Sequence, residues 1–136
     1  MTKEDKELLF RDLCARLPYG VKLHANYVDG VNTKEGKGRL SMIDVDMVVA
    51  FIDEMENTCS FTYVALREVK PYLFPMSSMT EAQKKEYAHI LVMSSNLAYS
   101  QLLDITVEGW LNKNHFDYRG LINKGLAIDA TGLNIY

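Results

Sequence analysis

The run Arg39-Leu40-Ser41-Met42-Ile43-Asp44-Val45-Asp46-Met47-Val48-Val49-Ala50-Phe51-Ile52-Asp53 decides how this chain is read. Val45, Met47, Val49 and Phe51 recur at every second position, the period of a strand with one face against a core. The run is longer than a typical strand of about 5–6 residues, so it either bends near Asp44 or holds two strands. Working outward, Val21-Lys22-Leu23-His24 alternates in the same way, and Asp29-Gly30 supplies hairpin chemistry because both residues tolerate positive φ. A second turn is expected over Lys34 to Gly38, where glycines flank Lys37. Downstream, Glu54 to Asn57 reads as a polar turn and Thr58 to Val64 as a strand rich in aromatic and β-branched residues. A helical turn over Ala65 to Glu68 then precedes a last strand, Val69 to Leu73. Four or five short strands between Val21 and Leu73 predict an α+β fold around a small curved β-sheet or barrel. A closed barrel of the Src-homology type is the expected form, and a flat meander covered by helices is its rival.

Helices flank this region. Thr2 and Asp5 fit a helix start, and Leu8, Leu9, Leu13 and Leu17 follow helical spacing with Lys3, Lys6, Asp12 and Arg16 as polar residues between them. Pro18 and Gly20 end that helix. Thr80-Glu81-Ala82-Gln83 is a capping box for a second helix, whose stripe runs through Tyr87, Ile90, Leu91, Ser94, Leu97, Ala98, Gln101 and Leu102. Asp104 is placed to cap a short helix carrying Trp110 and Leu111. Asp117 is placed to cap a last one that ends at Lys124-Gly125. The organisation expected is a single domain over 1–136: a helix over 1–17, strands over 21–73, helices over 80–125 and a tail over 126–136.

The chain has 136 residues, of which 48% are hydrophobic and 24% charged, enough apolar content to offset the entropy of folding without a disulfide or metal. The N-terminal stretch Met1 to Glu7 is polar and of mixed sign, unlike a secretory signal, and Met47 to Ile52 is far too short to span a membrane. A cytoplasmic location follows as the expectation. Cys14 and Cys59 form no C-x-x-C pair and read as free thiols buried as small hydrophobes. The net charge of −3 argues against nucleic acid unless basic residues gather on one face, and Lys34, Lys37 and Arg39 are the one candidate gathering.

Four blocks stand out: Leu17-Pro18-Tyr19-Gly20-Val21-Lys22; Val69 through Thr80, VKPYLFPMSSMT; Asn114 through Ile122, NHFDYRGLI; and Lys124-Gly125-Leu126-Ala127. Together they resemble a family of short uncharacterised proteins from gut-associated bacteria and their phages or other mobile elements. The resemblance spans most of the chain. Where many members carry Arg between the Leu and the second Pro of the middle block, this chain has Phe74. The resemblance implies a phage or mobile-element origin and no particular chemistry.

The densest chemistry lies in His115-Phe116-Asp117-Tyr118-Arg119. An imidazole, a carboxylate and a guanidinium this close could bind an anion or perform acid–base work, which makes His115, Asp117, Tyr118 and Arg119 the candidate binding residues. Structural roles compete with that reading: a cap for Asp117, an ion pair for Arg119, an anchor for Phe116 and a backbone contact for His115. Asp44-x-Asp46 puts two carboxylates on one strand face, as a metal pair or a solvated edge, and no metal is expected from it. His24, His89 and His115 lack ligand spacing. Serine elbows and phosphate loops are missing from the sequence, so no cofactor and no small-molecule ligand are expected. Tyr72, Phe74, Trp110, Phe116 and Tyr118 read mostly as core, with Met76, Met79 and Met93 beside them. The function expected is a protein-binding or adaptor module, with a protein partner or a second copy. The alternatives are a small enzyme using His115 to Arg119 and a weak nucleic-acid binder.

Overall fold

The computed structural model describes residues 1–54, 61–96, 98, 101 and 106–136. Helix α1, Lys3–Arg16, opens on the expected box: the Asp5 N–H donates to the Thr2 hydroxyl and the Thr2 N–H to the Asp5 carboxylate. A 3-10 turn over Leu17–Tyr19 and Gly20 at φ 67° stop it. Strands β1 (Lys22–Asp29) and β2 (Asn32–Ile43) form an antiparallel hairpin turned by Gly30 at φ 65°. Strands β3 (Val48–Asp53), β4 (Phe61–Ala65) and β5 (Val69–Pro75) follow, the last after a 3-10 turn over Leu66–Glu68.

The long run therefore holds two strands. They part at Asp44, whose Oδ1 accepts the N–H groups of Asp46 and Val48 while Met47 takes a φ of 61°. Val45 sits in this turn, 88% exposed, and leaves the apolar face to Val49 and Phe51. The turn expected over Lys34 to Gly38 does not form. Strand β2 runs straight through it, with Gly36 opposite Ala25 and Gly38 opposite Leu23. The glycines serve close packing instead. A Cβ on Gly38 would run into the Ile52 carbonyl, and one on Gly36 would lie 3.0 Å from the Asp53 carboxylate and 3.1 Å from the Phe51 ring.

Helix α2, Glu81–Ser94, carries the expected Thr80–Gln83 box. It ends at Ser94, short of the stripe read to Leu102, and Leu97 and Leu102 lie outside the described residues. Helix α3, Val107–Lys113, carries Trp110 and Leu111, and its capping hydroxyl is that of Thr106. Asp104 lies outside the described residues. The segment after Asp117 does not form the last short helix. It winds once over 121–126, closed by Leu126 N–H to the Leu121 carbonyl and Gly125 N–H to the Ile122 carbonyl, with Gly125 at φ 72°. That is a helix-ending pattern with almost no helix before it. Two short strands, β6 (Phe116–Asp117) and β7 (Ile128–Asp129), both run parallel to β5.

The sheet order is β4-β3-β2-β1-β5-β6, with β7 also on β5. Among the described residues no ladder joins β4 to β6, so the protein is an α+β fold with an open curved sheet and the barrel does not close. A register shift between Leu40 and Met42 supplies local bend. The inner face (Leu23, Ala25, Leu40, Val49, Phe51, Val64, Val69 and Leu73) is covered by Leu9 and Leu13 of α1 and by Leu121, Leu126 and Ala127. A second cluster stacks Trp110 between Tyr87 and Phe116, at ring separations of 5.5 and 5.7 Å, with Met79 and Leu111 beside them. The aromatic residues at the segment joints are therefore mainly core.

Because β2 and β3 meet backbone to backbone at Gly38, a Gly38→Ala variant should lose about 3 kcal/mol of stability, the upper end of what overpacking costs. Urea unfolding followed by circular dichroism checks this. A midpoint equal to that of the parent would show that the two strands are free to part there.

Candidate functional site

The segment from His115 to Arg119 is drawn into the body of the protein by α1. Asp12 and Arg16 lie one turn apart and both are fully buried. Arg16 Nε donates to Asp12 Oδ2 at 2.8 Å, Arg16 Nη2 donates to the Phe116 carbonyl at 2.6 Å, and Arg119 Nη1 donates to Asp12 Oδ1 at 3.0 Å. The Tyr118 ring lies beside both guanidinium groups, 5.4 Å from Arg16 Cζ and 4.6 Å from Arg119 Cζ. One buried carboxylate thus holds two cations from distant parts of the chain. Sequence reading took Asp12 and Arg16 as polar residues between core positions. Their spacing from Leu9 and Leu13 placed them on the buried stripe all along, at i, i+3, i+4 and i+7.

The other members of the segment are committed as well, except the His115 ring, whose Nδ1 is buried with no hydrogen-bond partner among the described residues. Asp117 is buried, and its two oxygens accept the N–H groups of Leu121 and Ile122, each at 2.9 Å. It caps a turn rather than a helix. The Tyr118 hydroxyl donates to Asn112 Oδ1 at 2.9 Å. His115 adopts a φ of 63°, accepts the Phe74 N–H on its carbonyl at 2.8 Å and donates its own N–H to the Asn112 carbonyl. Its backbone, not its ring, makes the expected backbone contact. The ring stacks on Tyr136, with centroids 3.7 Å apart and planes 10° from parallel. Tyr136 in turn accepts the Lys22 N–H and donates to the Tyr72 carbonyl. Burial, then the charges of Arg16 and Lys22, pull the His115 imidazole down to about 4, so it is neutral at pH 7.

The remaining candidates scatter. Asp44 and Asp46 share a turn rather than a strand face, and Asp44 is engaged with backbone N–H groups. Among the described residues no group of three or more His, Cys, Asp or Glu side chains could hold a metal. Cys14 is exposed on α1, away from the Leu9 and Leu13 face, and so is not the buried residue expected. Cys59 lies outside the described residues. Lys34 faces the opposite side of β2 from Lys37 and Arg39 because side chains alternate, and it pairs with Asp29 at 2.8 Å. The three basic residues therefore do not share a face.

A different surface emerges on the outer side of the sheet. Register places Lys22, Arg39, Ile52 and Phe61 in one row across β1 to β4, and Met42, Ala50 and Tyr63 in the next. Phe61 is 50% exposed, Tyr63 61% and Met42 40%. On the same face, Lys22 is held by Glu54 and His24 by Glu35, whereas Lys37 and Arg39 have no ion partner among the described residues. A hollow of about 420 Å³ opens beside Arg39, walled by Ile52, Phe61, Leu17, Pro18 and Gly20. Phe61 and Tyr63 went unmarked in the sequence, though their alternation with buried Val64 was the available signal. At the β5 end this same side of the sheet is covered, since Tyr72 and Phe74 pack with Ala130, Ile135 and Ile128.

Comparison with protein-family models, with curated proteins and with solved structures returned no match. Among the described residues no helix is long and apolar enough to cross a membrane.

Two stability outcomes follow from the buried charges. Asp12→Ala should cost about 3–5 kcal/mol, because it strands two cations that a single carboxylate compensates. Arg119→Met should cost clearly less, since Asp12 then keeps Arg16. Chemical denaturation of both variants checks the order. Acid should weaken the fold through His115. The unfolded chain takes up that proton near pH 6.5 and the folded chain near 4, so stability falls as pH drops from 6.5 to 4. Full burial would make that loss about 3 kcal/mol, and partial contact of the ring with water brings it nearer 2. His115→Asn, which also tolerates positive φ, should flatten this part of the pH–stability curve.

Proposed function

We propose that this chain is a cytoplasmic protein-binding module of phage or mobile-element origin, and that it meets its partner through the outer face of β2, β3 and β4. The observation that supports this most is the exposure of Phe61 and Tyr63 on one sheet face, next to a hollow and to Lys37 and Arg39, which have no ion partner among the described residues. Exposed aromatic rings that share a face are costly to leave in water and are enriched at interfaces. The resemblance of the four sequence blocks to proteins of phages and gut bacteria supports the origin. The enzyme alternative draws little support from His115 to Arg119, where the ring is stacked, the Asp117 carboxylate accepts two backbone N–H groups and the Arg119 guanidinium is paired with Asp12. Lys34, turned away from Lys37 and Arg39, breaks up the one gathering of basic residues on which the nucleic-acid alternative was read.

The test compares the full chain with a Phe61→Ser, Tyr63→Ser double variant as immobilised baits in extract of the native host, alongside light scattering of each. The module predicts a partner, or a second copy, that the parent holds and the variant loses at least about tenfold, as for central interface anchors. The melting temperatures of the two baits should stay close. A parent that is monomeric and holds nothing the variant does not also hold would overturn the reading.

A further inference from the structure

Resting on the protein-binding reading, we propose that the partner offers an acidic, apolar-anchored segment: a large apolar side chain that enters the hollow between Ile52, Phe61 and Pro18, followed by a carboxylate that reaches Arg39. The hollow supplies the first half of this chemistry. Leu17, Pro18, Ile52 and Phe61 give it apolar walls, and its volume of about 420 Å³ is ample for one aromatic or aliphatic side chain within the usual range of binding clefts.

Charge supplies the second half. This protein carries a net charge of −3, yet on the outer face the balance is reversed where it matters. Glu54 pairs with Lys22 and Glu35 hydrogen-bonds His24, which leaves Arg39, Lys37 and, across β1, Lys70 as cations without a partner among the described residues. The Arg39 stem is laid against Gly20, whose Cβ would stand 3.4 Å from Arg39 Cδ. A guanidinium with no ion partner among the described residues, at the rim of a hollow with several apolar walls, matches a carboxylate.

Geometry sets the spacing. Arg39 and Phe61 lie in the same cross-strand row, separated by β3, so their backbones are about 10 Å apart. An extended segment crossing the strands covers that distance in about three residues. Lys37 lies two positions from Arg39 on the same face, about 7 Å away, and would meet a second carboxylate. A polynucleotide fits less well. The few free cations of this face, flanked by Glu35 and Glu54, compensate few phosphates, and nucleic-acid affinity rests on many such contacts.

The test uses the full chain and fluorescein-labelled peptides read by anisotropy, with amide resonances mapping the contact. The probe is Gly-Gly-Phe-Gly-Gly-Asp-Gly-Asp-Gly. Its controls replace both Asp by Lys, or Phe by Gly, and a twelve-residue oligothymidine is the nucleic-acid arm. The inference expects the acidic Phe peptide to bind at least about tenfold more tightly than either control, with shifts at Arg39, Ile52 and Phe61. Arg39→Glu should weaken it by a similar factor and improve binding of the Lys peptide. Both Arg39→Glu and Lys37→Glu change side chains that are not fully buried, and unchanged melting temperatures would confirm that each variant folds. Equal binding of acidic and basic peptides, no binding up to about 2 mM, or tighter binding of oligothymidine would overturn the inference. If the acidic peptide fails while the Phe61→Ser, Tyr63→Ser bait still loses a partner, the docking face stands and only this chemistry falls.

Discussion

Asp12 lies wholly inside the protein on α1, and each of its oxygens meets a guanidinium from a different part of the chain. Arg16 comes from the next turn of the same helix, Arg119 from a loop more than a hundred residues on. A buried carboxylate is costly to desolvate, so it persists only where cations are held to it with good geometry. Here the geometry is enforced from three sides. Helical pitch places Arg16 over Asp12, the Phe116 carbonyl takes a second Arg16 nitrogen, and the Tyr118 ring lies against both cations. The arrangement fixes the end of α1 against the segment that forms β6. That segment then lies parallel to β5 and receives the Phe74 N–H on the His115 carbonyl.

From this lock the two faces of the sheet acquire different fates. The inner face is covered by the same helix that carries Asp12, together with the 121–127 turn that Asp117 organises. On the outer side, cover is unequal. Residues 128–136 lie over β5, with Tyr136 bonded to both Tyr72 and Lys22, while Phe61, Tyr63 and Met42 remain in water. A sheet in a layered fold buries its apolar surfaces against a second layer. The part of the outer face that bears exposed rings is where that rule is unmet among the described residues.

Much of the fold was legible in the sequence because its signals were local. Thr2 with Asp5 and Thr80 with Gln83 mark helix starts through short side-chain contacts. Gly30 marks a hairpin through its positive φ, and alternation reveals β1, β3 and β5. Failures arose where a residue has a distant cause. Gly36 and Gly38 resemble turn residues, yet their smallness answers to Phe51, Asp53 and the Ile52 carbonyl on a neighbouring strand. β6 and β7 are two-residue strands with no periodicity to read, and they exist because β5 offers them backbone partners. Closure into a barrel could not be judged locally either, since it depends on whether the edges β4 and β6 meet.

The segment from His115 to Arg119 is governed by contacts of the same distant kind. Density of polar residues measures chemical potential, whereas reactivity requires groups with unsatisfied bonding capacity. In the segment from His115 to Arg119 much of that capacity is consumed: both Asp117 oxygens cap backbone, Arg119 is paired, Tyr118 donates to Asn112, and the His115 ring is stacked and kept neutral by burial and then by the charges of Arg16 and Lys22, with its Nδ1 the one ring atom left buried without a partner among the described residues. Phe61, Tyr63, Lys37 and Arg39 show the converse. Each is ordinary in sequence; on the face where they meet, the two rings are exposed and the two cations have no ion partner among the described residues. Side chains left without partners on a common surface are free to act on something else, and among the described residues the outer face of the sheet gathers such side chains.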